Sequence, residues 1–224
     1  PHDVRSPADL ARLPVLRKSA LGEAQRAGDP FGGYALRPVT AYRHVFQSPG
    51  PIYEPESRRP DYWGFARSLY AAGFRRGELV YNCFSYHFTP AGSMMETAAH
   101  ALGCTVFPGG VGQTEQQVQA IADLRPSGYT GTPSFLKIIL EKAEELNIRL
   151  PSLKRALFSG EAFPPSLRVW FAERGVDGYQ AYGSADLGMI AYETEARDGL
   201  VVNEDLILEI VRAGTNQPVM DGEV

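Results

Sequence analysis

Two stretches of this chain combine glycine, a carboxylate and an aromatic or hydroxyl side chain at the end of an apolar run. One is Tyr182-Gly183-Ser184-Ala185-Asp186-Leu187-Gly188, and the other is Ala156-Leu157-Phe158-Ser159-Gly160-Glu161. Each reads as a buried strand that breaks at glycine beside an acid. In an open parallel sheet, ligands sit beyond the carboxyl ends of the strands, so Glu161 and Asp186 fall at a candidate site. Backbone bared at glycine approaches a flat or anionic ligand without a side chain in the way. Tyr182 offers a ring face to a base, and the arrangement suits a nucleotide. The bland readings stay beside this one: Asp186 as the cap of a turn, and Glu161 near the N-terminus of the following helix, where a carboxylate is favoured anyway.

Tyr182-Gly183-Ser184-Ala185-Asp186 resembles the Tyr-Gly-x-(Ser/Thr)-Glu motif of adenylate-forming enzymes, and within them the phenylacetate–CoA ligase branch. Gly109-Gly110-Val111-Gly112-Gln113-Thr114-Glu115-Gln116-Gln117, Thr132-Pro133-Ser134 and Ser159-Gly160-Glu161 extend the resemblance, collinear from about Leu10 to the last residue. It implies ATP-dependent activation of an aryl or hydrophobic carboxylic acid to an acyl-adenylate and then an acyl-CoA thioester. ATP or AMP, Mg²⁺ and coenzyme A are the expected cofactors. Ser159, Gly160, Glu161, Ala181, Tyr182, Gly183 and Ser184 would frame the adenine, and Asp186 would be the catalytic metal ligand. Asp is a competent hard-oxygen ligand, one methylene shorter than the family's Glu. Tyr86, His87, Phe88, Gly109, Gly110 and Thr132 would line the acyl pocket; for His87 a plain packing role is the alternative.

One departure from the family pattern is large. Adenylating enzymes carry a hydroxyl- and glycine-rich loop ending in Lys-Pro around the outer phosphates. Here Gln47-Ser48-Pro49-Gly50-Pro51-Ile52-Tyr53-Glu54-Pro55 stands in its place. Prolines remove N–H donors, and Glu54 lies near the position of the lysine. The loop is either degenerate or specialised, which keeps a second reading open: a non-catalytic nucleotide- or acyl-binding homologue. A Rossmann-type oxidoreductase is disfavoured, because Gly109-Gly110-Val111-Gly112 lacks the GxGxxG spacing.

The elements that must position these residues follow from periodicity. Residues 79–84, 104–107, 129–131, 155–159 and 179–182 read as strands. Between them lie helical faces: Met94, Met95, Ala98, Ala101 and Leu102; Val118, Ile121 and Leu124; Leu136, Ile139, Leu140 and Ala143; Leu167, Trp170 and Phe171. Thr114 and Gln117 suggest a capping box, and Thr132 with Pro133 a capped helix start. Further helices are expected to open at Ser6-Pro7 and at Ser19. The alternation predicts an α/β fold with a parallel sheet and helices on both faces. Ser85, Gly109, Gly131, Gly160 and Gly183 should then share one rim. Residues 189–194, 200–202 and 206–211 are expected to form a small antiparallel segment with a turn at Asp198-Gly199. The predicted organisation is a helical and loop segment at 1–77 holding the loop at 47–55, an α/β core at 78–188, and the start of a β-rich subdomain at 189–224.

With 224 residues, 44% hydrophobic and 21% charged, the composition is that of an ordinary globular domain. The net charge of −4 argues against a nucleic-acid surface. Arg58-Arg59 and Arg75-Arg76 cluster, but acids interleave, and they read as solvated loop charge. No apolar run approaches a membrane span, and no leader is visible at the start. Cys83 and Cys104 have neither metal nor disulfide spacing. A cytoplasmic protein is expected, whose partners are the acid and coenzyme A rather than nucleic acid or membrane, with a homodimer left open. Position 1 is Pro, and Asp221-Gly222-Glu223-Val224 stops inside a strand-like run. A fragment is expected, an incomplete N-terminal domain without the family's mobile C-terminal lid domain.

Overall fold

Strands β3 (Leu79–Asn82), β4 (Thr105–Pro108), β5 (Gly128–Gly131), β6 (Arg155–Phe158) and β7 (Asp177–Ser184) pair in parallel, in the spatial order β4-β3-β5-β6-β7. The computed structural model that shows this describes residues 4–6, 9–10, 13–215, 217–220 and 222. Strands β8 (Gly188–Tyr192) and β9 (Val201–Val202) continue the sheet antiparallel. The predicted α/β architecture is therefore the observed one.

Period-two alternation sorts the strand side chains between two cores. Val80 and Leu157 pack with Leu69 of α2 (Ala66–Ala71) and Met94, Met95 and Ala98 of α3 (Ala91–Ala101). Tyr81, Ala156 and Phe158 face the opposite way. They meet Val118 and Ile121 of α4 (Thr114–Leu124), Leu136 and Ile139 of α5 (Pro133–Glu145), and Phe171 of α6 (Pro165–Glu173). Each fully buried Leu, Ile or Phe contributes about 1.5–3 kcal/mol of transfer free energy. Register holds the strand ends level: Asn82 lies opposite Pro108 and Thr130, and Gly131 opposite Phe158. Ser85, Gly109, Gly131, Gly160 and Gly183 accordingly sit at one carboxyl rim. Cys83 and Cys104 are buried free thiols, and burial pushes Cys83 up to about 12, leaving it inert. Among the described residues no helix is long and apolar enough to cross a membrane.

Several expectations are corrected. The proline-rich stretch is a β-hairpin, β1 (His44–Ser48) against β2 (Ile52–Glu56), turning through Pro49-Gly50-Pro51. Gly50 has φ 149°, which lets the turn close between two prolines. Helix α1 (Lys18–Arg26) begins at Lys18 rather than Ser19, and the helix expected at Ser6-Pro7 falls partly outside the described residues. Among the described residues Leu206–Val211 pairs as no strand: Val211 makes an isolated bridge to Pro218, and Leu206 N donates to the Asn203 carbonyl at 3.1 Å. Ile207, Leu208 and Ile210 stay exposed, so their apolar character has no partner layer among the described residues. Ala101 and Leu124 also face solvent, each at the last turn of its helix, where the inward stripe has rotated away.

Candidate functional site

The rim is organised by a residue that motif reading passed over. Asn82, buried at the end of β3, donates from Nδ2 to Tyr86 Oη (2.7 Å) and the Gly92 carbonyl (2.9 Å). Its Oδ1 accepts from Thr130 Oγ1 (2.9 Å) and Phe84 N (3.2 Å). One amide therefore ties β3, β5, the start of α3 and the 84–86 loop together, with its main donors and acceptors satisfied. A lone amide within the apolar run Leu79-Val80-Tyr81-Asn82-Cys83-Phe84 is the signal that could have identified it.

Gly160 takes φ 81° immediately after β6, and Ser159 N donates to the Gly131 carbonyl at 3.3 Å. Glu161 turns to helix α5 rather than to the helix that follows it. Its oxygens accept from Ser134 Oγ (2.9 Å) and Ser134 N (3.3 Å), at the positive end of the helix dipole. Thr132 is the N-cap there, accepting from Phe135 N at 3.4 Å.

Strand β7 overshoots its parallel neighbour and pairs with β8 across a register shift at Tyr182/Gly183. Ala181 packs into the core, whereas Tyr182 is 58% exposed. A Cβ on Gly183 would lie 2.7 Å from both the Gly188 carbonyl oxygen and Phe65 Cζ, so only glycine allows this approach. The β7–β8 turn is capped by Ser184, whose Oγ accepts from Leu187 N at 3.2 Å. Asp186 is thus released from capping. Its carboxylate pairs with Lys18 Nζ of α1 at 3.1 Å, and Lys18 also reaches Glu54 at 3.4 Å.

Glu54 is buried on the hairpin and bonded by Ser48 Oγ, which draws it away from solvent. Burial pushes its carboxyl above the usual range, against the opposing pull of Ser48 and Lys18. For Lys18, burial works against the charge, but Asp186 and Glu54 outweigh it and hold the ammonium above the ordinary lysine value. Among the described residues no group of three or more His, Cys, Asp or Glu is disposed to hold a metal ion. Asp186 still suits Mg²⁺, which commonly binds through one or two carboxylates and completes its shell with phosphate oxygens and water. Lys18 would have to yield its place on that carboxylate.

A cavity of about 190 Å³ opens between the two glycine breaks, bringing Ser159 and Gly160 together with Gly183 and Ser184. Its apolar floor is Phe65, Phe84, Met94 and Met95. None of Tyr86, His87, Phe88, Gly109, Gly110 or Thr132 lines it. Tyr86 packs over Gly92, and His87 lies edge-on to Phe88 at 4.6 Å. Phe88 adopts φ 63°, and its carbonyl accepts from Gln47 N at 3.0 Å, fastening the hairpin to the rim.

Gly109 and Gly110 belong to a loop held by Gln117, the residue expected in a capping box. Instead Gln113 occupies the N-cap position of α4 in the left-handed region without a side-chain capping bond, and Gln117 is buried. Its Nε2 donates to the carbonyls of Gly109, Gly112 and Gly110 (3.0, 3.2 and 3.3 Å), while Oε1 accepts from Tyr81 Oη at 2.6 Å. Gln117→Leu removes these bonds while keeping the volume, leaving Tyr81 Oη buried without its partner. The expected loss is roughly 2–4 kcal/mol in denaturant unfolding, with faster amide exchange at Gly110 and Gly112. A loss below about 0.5 kcal/mol would show that the loop holds itself.

A family model described as AMP-binding enzyme matches residues 63–224. Phenylacetate-coenzyme A ligase from Aromatoleum evansii is 33% identical over 236 residues, covering 99% of this chain and 52% of that ligase. The same-named enzyme from Thermus thermophilus is 32% identical over 238 residues, covering 100% and 52% respectively. The chain spans about half the length of the curated relatives it matches. Among solved structures, 2-hydroxyisobutyryl-CoA ligase in an open conformation with 2-HIB-AMP and CoA gives a TM-score of 0.81 at 28% identity, covering 88% of this chain and 46% of that one. An anthranilate CoA ligase in complex with anthranoyl-AMP gives 0.67 at 19% identity, over 84% and 39%, a likeness of fold alone.

Proposed function

The chain belongs to the AMP-binding enzyme family, and on that premise we propose that the full-length protein is an AMP-forming acid–CoA ligase. A carboxylate oxygen of an aryl or hydrophobic acid attacks the α-phosphorus of ATP, and pyrophosphate leaves. The thiol of coenzyme A then attacks the acyl carbonyl, and AMP leaves. The observation that carries this reading is the single cavity where the breaks at Gly160 and Gly183 meet above Phe65, Phe84, Met94 and Met95. In it, Ser159, Gly160, Gly183 and Ser184 frame the adenine, with Glu161, Ala181 and Tyr182 on the adjoining strand ends, while the apolar floor takes the acyl group. Tyr86, His87 and Phe88, with Gly109, Gly110 and Thr132, lie outside this cavity on the same rim, and contact with the acyl group would require a longer acid that reaches past its floor. The printed names of the relatives, phenylacetate-coenzyme A ligases, support an aryl acid.

Asp186 would hold Mg²⁺, which supplies charge neutralisation at the phosphates. The protein's own residues do the rest. The glycine breaks admit the nucleotide, the rim held by Asn82 keeps the walls fixed, and Lys18 places a cation beside Asp186. Two buried free thiols suit a reducing compartment, and we place the protein in the cytoplasm. Incubating the full-length protein with ATP, Mg²⁺, coenzyme A and phenylacetate or a related acid should yield the acyl-CoA thioester. Adenine-nucleotide binding with no thioester from any acid would indicate a non-catalytic homologue.

AMP should bind this chain more tightly than ATP. Glu54, Asp186 and Lys18 together carry a net negative charge, and the hairpin supplies no lysine to the outer phosphates. One such unscreened charge costs roughly 1 kcal/mol, or about fivefold in affinity. Calorimetric titration with AMP, ATP and NAD checks this, and preference for NAD would count against the adenylate site.

A further inference from the structure

The acids that interleave with Arg58 and Arg59 in sequence are bonded to other partners, although Asp61 still feels the charge of Arg59. Glu54 and Glu56 point inward from β2 and are buried. Glu56 accepts from Ser93 Oγ at 2.7 Å and pairs with His44 at 3.1 Å. Asp61 turns to α2, accepting from Ala66 N at 3.1 Å. What remains at the surface is a recess of about 550 Å³ walled by Tyr34, Arg37, Tyr42, Arg58, Arg59 and Tyr62. Among the described residues no carboxylate lines it. All three arginines are exposed, and neither Arg37 nor Arg58 makes an ion pair or side-chain hydrogen bond among the described residues. Arg59 donates to the Tyr62 carbonyl at 3.2 Å, with its guanidinium 5.9 Å from the Tyr62 ring centroid.

Three exposed guanidinium groups in one recess, two of them without an ion pair among the described residues, make a local positive potential on a chain of net charge −4. Guanidinium forks match phosphate oxygens bidentately, and tyrosine faces accept a stacked base. The recess shares the walls Tyr34, Pro55 and Tyr62 with a second cavity of about 500 Å³, which reaches Lys18 and Asp186. A phosphorylated ligand seated on the arginines therefore lies next to the cavity that reaches Lys18 and Asp186.

We propose that the Arg37/Arg58/Arg59 recess binds the nucleotide end of coenzyme A, its 3′-phosphate and diphosphate facing the arginines, while the pantetheine arm follows the second cavity toward Asp186. This rests on the ligase reading above and adds the place where the acceptor is held. The 3′-phosphate, set apart from the diphosphate, gives coenzyme A a second anion for these arginines that its dephospho form lacks.

The test is calorimetric titration of the full-length protein with coenzyme A, dephospho-coenzyme A, AMP and ATP. It compares the wild type with an Arg37→Gln, Arg58→Gln, Arg59→Gln triple variant and with the corresponding Arg→Lys triple. The glutamine variant should lose about tenfold or more in coenzyme A affinity and its preference over the dephospho form. AMP binding should stay within about twofold of wild type, and the lysine variant should recover part of the loss. Coenzyme A affinity unchanged in the glutamine variant would overturn the proposal. An ATP affinity that falls as far as that of coenzyme A would assign the arginines to the triphosphate and overturn it too. Failure of the wild type to bind AMP would count against the ligase reading, whereas arginine-dependent coenzyme A binding would still support the recess.

Discussion

Asp186→Ala in the full-length protein should lower acid-dependent ATP–pyrophosphate exchange by a factor on the order of 10²–10³. Adenylation concentrates negative charge on the phosphates, and Asp186 is the exposed carboxylate at the rim left over from structural work. Ser184, not Asp186, caps the β7–β8 turn. Glu161 is spent on Ser134 at the start of α5, and Glu54 on Ser48 within the hairpin. Removing Asp186 therefore strips a charge from the site without removing a fold contact of consequence. Its pair with Lys18 is exposed at 41% and 42%, and such pairs contribute about 0–1 kcal/mol. The melting temperature should hardly move while exchange collapses. Exchange that survives the substitution would assign the metal role to a different carboxylate.

Gly188→Ala should cost roughly 2–5 kcal/mol of stability. Gly188 has φ 75°, which penalises any side chain by about 1–2 kcal/mol. The added Cβ would also run into the Trp63 carbonyl group and come within 3.0 Å of Trp63 Cα. That obstacle is backbone, and the same carbonyl already accepts from Met189 N at 2.8 Å. The strand end would have to shift, and with it the Gly188 carbonyl that lies against Gly183. Gly199→Ala is the matched control: φ is 76°, but nothing lies within 4 Å of the added carbon. Thermal unfolding of the two variants separates the clash from the dihedral cost. Equal losses would show that the Trp63 contact yields freely.

The parts of this fold legible in the sequence are those governed by local periodicity. Apolar runs at 79–84, 104–107, 129–131 and 155–159 announce strands that the structure ends at Asn82, Pro108, Gly131 and Phe158, and the glycines and polar residues after them announce the rim. The parts that were not legible depend on partners far along the chain. Gln117 matches a capping box by spacing, yet the glycine loop before it needs a donor, and three carbonyls outcompete the helix end. The hairpin at residues 44–56 hides behind three prolines that ordinarily argue against strands. It forms because Ile52, Glu54 and Glu56 alternate inward and find Lys18, Ser48, His44 and Ser93. Lys18 itself lies 168 positions from Asp186, a separation that no motif spans. The apolar floor was missed for a different reason. Met94 and Met95 read as ordinary helix core, and only the coordinates show that they also face a cavity.

The central claim is that the breaks at Gly160 and Gly183 form one adenylate site. Amide-resolved NMR titration with AMP tests it most directly. The amides of Ser159, Gly160, Tyr182, Gly183 and Ser184 should shift together along one binding curve. Gly77 and Gly175, at the opposite end of the same sheet, should stay still. Saturable shifts at that opposite end, with the rim glycines unmoved, would contradict the account.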